Sequence, residues 1–308
     1  MRGIELARSF YEQFGKPMIE NEFAEFKDRI AVGLVGRGSE CFGYDDVISQ
    51  DHDFGASLCI WITDEDEKSV GFRLFRAYSK LVKEHGTIIS SPQNTVGESG
   101  RGVMTISEFY RQYIGENSIP LTLSDWLYIP SYYLAEAING EVFCDPLGQF
   151  SAVREYIKSG MPEDVRLKRM ASCAFYMAQA GQYNYERCLK HNEIGAARLA
   201  LDEFAKNAVE LVFWSNRSYM PYYKWAFRAM RDLPLLADVS ERIEKLIIHP
   251  ADDTSTIIGM IEQICALIAD GMQSIDIVTS NAEYFEAYAY EINSRIRNAE
   301  LRNMPVML

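Results

Sequence analysis

The sequence predicts an α+β fold, with a small mixed sheet and its helices over residues 1–160 and an α-helical bundle over 161–308. Three observations carry this. Four short apolar runs of strand character, at 30–35, 54–63, 102–106 and 141–144, all fall in the first half. From Pro162 onward such runs fade, and apolar residues recur at helical spacing. A chain of 308 residues is too long for one small domain and comfortable for two.

Taken in order, residues 4–14 form a helix, with Ile4, Ala7, Phe10, Tyr11 and Phe14 on one side. A second helix spans about 18–28. Ile30 to Val35 is a buried strand that runs into the tight turn Gly-Arg-Gly-Ser. The polar stretch ECFGYDDVISQ leads to the second strand, FGASLCIWIT. Asp64 to Asp66 open a helix that Gly86 closes, early acids suiting its positive end. Residues 87–100, rich in Ser, Gly, Pro and Asn, are a loop. Gly102 to Ile106 is a third strand, followed by a helix at 107–113. Pro130 must kink or divide the helical stretch that begins at Ser124. Gly140 to Cys144 is the last strand, and Asp145-Pro-Leu-Gly148 is a turn.

Beyond Pro162, the series Ile194, Ala197, Leu201, Phe204, Ala208, Val212 and the series Ile257, Ile261, Ile264, Ile268 each line one helix face. Ser280-x-x-Glu283 is a capping box ahead of Phe285, Tyr288, Ile292 and Ile296. The second half therefore reads as a bundle of about five helices.

Composition narrows the function classes. Hydrophobic residues make up 48% of the chain, enough for a substantial core. Lysine and arginine total 31 against 44 aspartates and glutamates, a net charge of −13. Such a chain repels a phosphate backbone unless it carries a local basic patch, so nucleic acid is a disfavoured partner. The six cysteines lack C-x-x-C spacing and several lie in apolar runs, which points to reduced, buried thiols. The four histidines are scattered, which argues against a Cys/His zinc site. The N-terminal stretch lacks the apolar core of a signal peptide, and no uninterrupted apolar stretch is long enough to span a bilayer. A cytoplasmic protein with no membrane partner is the expectation.

The chemistry is concentrated in Val35-Gly-Arg-Gly-Ser39 and Asp51-His-Asp-Phe54. Nucleotidyl transfer needs a divalent metal to neutralise the triphosphate and align the attacking oxygen. Magnesium takes carboxylate oxygens and keeps several waters. Carboxylates at i and i+2 of one strand point to the same face, so Asp51 and Asp53 can reach one metal or a close pair. A glycine-serine turn on the neighbouring strand offers N–H groups and a hydroxyl to the outer phosphates. Gly-Ser alone is a weak signal, and Asp-x-Asp often marks a solvated turn; the combination, flanked by two strands, is more specific. The competing reading is a loop with capping aspartates.

This arrangement resembles the signature of the polymerase-beta-type nucleotidyltransferase superfamily, with His52 standing where an aliphatic residue is usual. The segments RGSECFGYDDVISQDHDFG, LSDWLYIPSYYLAEAINGEVFCDPLGQFSAVRE, MAQAGQYNYERC and RSYMPYYKWAFRAM are similar to an uncharacterised bacterial family. Its domain of unknown function is placed in that superfamily, and the resemblance covers about residues 1–235. More distant relatives with such a core followed by helices are the aminoglycoside and lincosamide nucleotidyltransferases. The resemblance implies the same fold; with the strand signals ending near residue 160, a nucleotidyltransferase-like domain at 1–160 and a helical domain at 161–308 are expected, with the active site in the cleft between them. It implies Asp51 and Asp53 as magnesium ligands and Gly38 and Ser39 as triphosphate binders.

The superfamily usually carries a third carboxylate on a later strand. Gly102–Ile106 has none. Asp145, taken here as the candidate catalytic acid, and Glu108 are the nearest choices, although a turn aspartate before proline has a ready structural reading. Arg37 lies within the turn and can meet the triphosphate or form a surface ion pair. Tyr183 and Lys224 fall at expected breaks between helices, where they can stack on a base and bind phosphate or simply cap the bundle. The expected activity is transfer of AMP from ATP to a hydroxyl of a small acceptor. The alternative is a nucleotide-binding regulatory or antitoxin-like protein without turnover, and a plain interaction scaffold is a third.

Overall fold

The computed structural model describes residues 2–46, 57–86, 101–116, 119–250 and 253–308. The chain divides into two compact units, Met1–Gly160 and Met161–Leu308.

Unit 1 is α+β. Helix α1 (Gly3–Phe10) continues through a π-helical turn, Tyr11–Gly15, into α2 (Lys16–Glu22). The sequence suggested a break here. Instead Gly15 and Lys16 keep right-handed helical angles, and Pro17 falls in the first turn of α2, where a missing N–H is tolerated. Strand β1 is Ala31–Leu34, followed by a short 3₁₀ turn at Ser39–Phe42, and β2 is Cys59–Ile62. Helix α3 (Asp64–Asp66) passes through a π-helical stretch, Glu67–Gly71, into α4 (Phe72–His85). Thr63 starts it by accepting the Asp66 N–H.

Strand β3 (Gly102–Thr105) leads straight into α5 (Ile106–Ile114), and α6 (Leu123–Tyr128) and α7 (Ser131–Ile138) flank Pro130. Strand β4 is Glu141–Cys144 and α8 is Gln149–Ser159.

The four strands form one sheet in the order β3-β2-β1-β4. Strand β1 is antiparallel to β2, with Gly33 opposite Cys59, and antiparallel to β4, with Leu34 opposite Glu141. Strand β3 runs parallel to β2, with Cys59 opposite Gly102. Both faces are covered, which explains the uninterrupted apolar character of β1 and β2. Val32, Leu34, Ile60 and Ile62 pack with Phe10, Ile19, Phe23, Leu74 and Tyr78 from α1, α2 and α4 and their ends. On the other face Trp61 stacks on Phe150 at 3.7 Å between ring centroids and meets the Phe109 ring edge-on.

Among its described residues, unit 2 contains helices and no strand. Helix α9 (Glu163–Met177), a π-helical stretch Ala178–Tyr185 and α10 (Glu186–Lys190) make one continuous rod. It is followed by α11 (Ile194–Ser215), α12 (Tyr223–Met230), α13 (Val239–Ile248), α14 (Thr254–Ser274), α15 (Phe285–Ser294) and the short α16 (Ala299–Asn303). That exceeds the five expected, because α12 and α16 are too short to stand out by periodicity. The rod packs against α11 and α15, and Ile257, Ile261, Ile264 and Ile268 of α14 are buried as their spacing predicts.

Two expectations are corrected. Gly181 is no break: it lies within the rod, with the Phe204 ring so close that a methyl group on Gly181 would overlap it. The capping box at Ser280 is replaced by Glu291, whose carboxylate accepts from the backbone and hydroxyl groups of Thr279 and Ser280. Helix α14 is also long and apolar enough, by length and composition, to cross a membrane. It carries Glu262 and Asp270 and contributes its isoleucine stripe to the core of unit 2.

Candidate functional site

The candidate site begins where β1 ends. Val35 is buried, and the chain then turns through Gly36 and Gly38 at φ of 109° and 116°. The Asn139 side chain clamps Gly36 on both sides. Its Oδ1 accepts the Gly36 N–H at 2.7 Å and its Nδ2 donates to the Gly36 carbonyl at 2.7 Å. Arg154 of α8 in turn donates to the Asn139 and Gly140 carbonyls, and the Gly140 N–H reaches the Cys41 carbonyl. The turn is thus fixed by residues a hundred positions away. The Tyr113 hydroxyl lies over Gly36, 2.4 Å from where a β-carbon would stand. That hydroxyl is buried with no hydrogen-bond partner among the described residues.

Strand pairing decides what else shares this end of the sheet. Because Cys59 stands opposite Gly33, the lead-in Ser57–Leu58 approaches β2 beside the end of β1. Because Gly102 stands beside Cys59, Arg101 approaches β3 at the same end. Arg101 is largely covered, its side chain 13% exposed. Its Nη2 donates to Glu40 Oε1 at 2.6 Å and to the Arg37 carbonyl at 2.8 Å, and both terminal nitrogens lie 3.4 Å from Cys41 Sγ. Arg37 itself is exposed, with Nε 3.9 Å from Glu136.

Asp51 and Asp53 lie outside the described residues. Gly38, Ser39 and Arg37 are together in the turn. Asp145 is not brought to them. Strand β4 runs away from the turn, so Asp145 follows Cys144 at the far end, roughly three residues or ~10 Å along the strand. There its Oδ2 accepts the Ser151 N–H at 2.8 Å, capping the start of α8. Glu108 also stands at the far end, where it accepts the Thr105 N–H at 2.8 Å in a capping box. A cavity of about 490 Å³, lined by Thr63, Ser107, Tyr110, Arg111, Gln149 and Val153, opens at that far end and not at the turn.

Tyr183 and Lys224 both belong to unit 2. Tyr183 is exposed, its hydroxyl accepting from Arg187 at 3.2 Å with that guanidinium over its ring. Lys224 lies over the Trp225 ring at 5.1 Å.

Burial pushes the Cys41 thiol up to about 12, against the opposing pull of Arg101. Among the described residues, no three of His, Cys, Asp and Glu are gathered as a metal cluster. Sequence reasoning missed Glu40, Asn139, Tyr113 and Arg101. Glu40 could have been found, since it follows Ser39 directly; the other three arrive only through the sheet topology.

Residues 126–226 match the model of a family described as a domain of unknown function, DUF4037. The match spans a third of the chain, from α6 to α12, and includes Asp145, Tyr183 and Lys224 but not the glycine turn. No curated protein matches the sequence. Among solved structures, the chain is similar to a crystal structure of a nucleotidyltransferase-like protein from Exiguobacterium sibiricum 255-15. The identity is 11% and the TM-score 0.39, over 90% of this chain and 78% of that one.

Proposed function

We propose that the protein binds a magnesium–nucleoside triphosphate complex at the Gly36–Ser39 turn and transfers AMP from ATP to a hydroxyl of a small acceptor. The observation that carries this reading is the sheet pairing. It brings the glycine-serine turn and the chain leading into β2, downstream of Asp51 and Asp53, to one end of the sheet. In this reading Asp51 and Asp53 hold magnesium. The Gly38 backbone and the Ser39 hydroxyl orient the triphosphate, and Arg37 meets its outer charge. The metal supplies charge neutralisation and alignment of the phosphates.

In the transfer, the bond from the α-phosphorus to the bridging oxygen breaks and pyrophosphate leaves. The acceptor oxygen bonds to the phosphorus and gives up its proton to a base. Fixed groups that hold both reactants contribute much of the rate in such chemistry.

Pyrophosphate release from magnesium–ATP in the presence of a hydroxyl-bearing acceptor, measured across an acceptor panel that includes aminoglycosides, tests the proposal. Acceptor-dependent release, abolished in Asp51→Asn, is the expected result. Tight nucleotide binding with no release for any acceptor supports the second reading, a nucleotide-binding regulatory protein. One observation favours that reading: Asp145 and Glu108 are both engaged as helix caps at the far end of the sheet.

A further inference from the structure

Gly38 carries no side chain, and the space where one would begin is filled by an oxyanion. The Glu40 carboxylate oxygens lie 2.5 and 2.6 Å from the position of a Gly38 β-carbon. That carboxylate is held by Arg101 at 2.6 Å and is 21% exposed. Gly38 itself is exposed, so the seat is open to solvent on one side. Arg101 is fixed beneath by the Arg37 carbonyl and by the sulfurs of Cys41 and Cys59. The turn therefore has a guanidinium beside it and an anion from the chain already in place.

We propose that Glu40 is the resident anion of the glycine turn and that an incoming phosphoryl group displaces it, making Arg101 an anchor for the outer phosphates. This rests on the reading of the turn as a triphosphate site. Carboxylate and phosphate offer a guanidinium the same recognition, oxygen pairs that accept its forked N–H groups. A phosphate that takes the seat keeps Arg101 paired, whereas one that leaves Glu40 in place meets a like charge directly on the turn. Glu40 thus sets a threshold on anion binding and selects against weakly charged ligands. Released, it stands beside the bound phosphates as an oxygen donor free to turn toward a cation.

The test titrates inorganic tripolyphosphate, in EDTA and low salt, into the wild-type protein, Glu40→Gln and the double variant Glu40→Gln/Arg101→Lys. No metal is present, so Asp51 and Asp53 do not act as metal ligands; their charges are the same in all three proteins, and the comparison between variants stands apart from any failure of magnesium–ATP binding. Glu40→Gln is expected to bind about tenfold more tightly than wild type, the effect of removing one close competing charge. The double variant, having lost the fork, is expected to fall back to the wild-type affinity or below. Equal or weaker binding by Glu40→Gln overturns the proposal, as does the absence of measurable binding by both. Thermal melts confirm that each variant is folded. Should the double variant unfold, the Glu40→Gln comparison alone decides.

Discussion

A side chain at position 36 has nowhere to go. Its β-carbon would lie 2.4 Å from the Tyr113 oxygen, in a backbone at φ of 109° that L-residues avoid. Gly36→Ala is therefore expected to cost about 2–4 kcal/mol in urea unfolding, combining backbone strain with an overlap in a packed core. Tyr113→Phe makes the opposite change. It removes a buried hydroxyl with no partner among the described residues, and stability should hold or rise by up to ~1 kcal/mol. A loss above that size would mean that the hydroxyl is satisfied. The glycine turn was legible in the sequence because glycine spacing after an apolar strand has few other uses. The residues that enclose it were not, since Asn139, Tyr113 and Arg101 reach the turn through tertiary pairing that leaves no local pattern.

The strands were legible as elements because each is a short apolar run bounded by polar residues or glycine, and two of them are covered on both faces. Helix boundaries were less so. Gly181 and its tyrosines read as a break, yet the glycine is there to let the Phe204 ring approach the rod. Ser280-x-x-Glu283 matched a capping pattern, but Glu291 from the following helix supplies the oxygens. At the start of α9, Arg166 is buried and pairs with Glu163 at 2.6 Å, and Arg217 reaches the same carboxylate at 2.7 Å. The hydrogen bond from Arg166 is the main force holding the Glu163 carboxyl below its usual range. Burial opposes it, and the charges of Arg166 and Arg217 add to it. A depressed folded-state value means that the stabilisation is complete above the unfolded glutamate pKa of about 4.3 and is lost as pH falls through the folded value. Urea midpoints measured from pH 6 downward should decline more steeply below about pH 4.5 for wild type than for Glu163→Gln. Parallel profiles would show that the pair contributes no pH-dependent stability.

At the scale of the molecule, two features of the composition bear on ligand choice. The net charge of −13 sets a repulsive background for any polyanion. Arg37 and Arg101 are cations at the glycine turn, and each already faces a carboxylate. If the turn is a triphosphate site as proposed, this background favours a magnesium complex, with part of its charge cancelled, over the bare anion. That strands are confined to the first half was legible because short apolar runs stop after Cys144 and, beyond Pro162, apolar residues recur at helical spacing. The place of the candidate third carboxylate was not legible. The sequence offered Asp145 and Glu108 by proximity to strands, and strand direction, invisible in the sequence, puts both at the far end of the sheet.

Calorimetric titration of ATP, with and without magnesium, into the wild-type protein and the variant Asp51→Asn/Asp53→Asn is the most direct test of a magnesium–triphosphate site at this turn. Wild-type binding that depends on magnesium is expected, and its loss in the folded double variant. Binding of magnesium–ATP by that variant with wild-type affinity would contradict it.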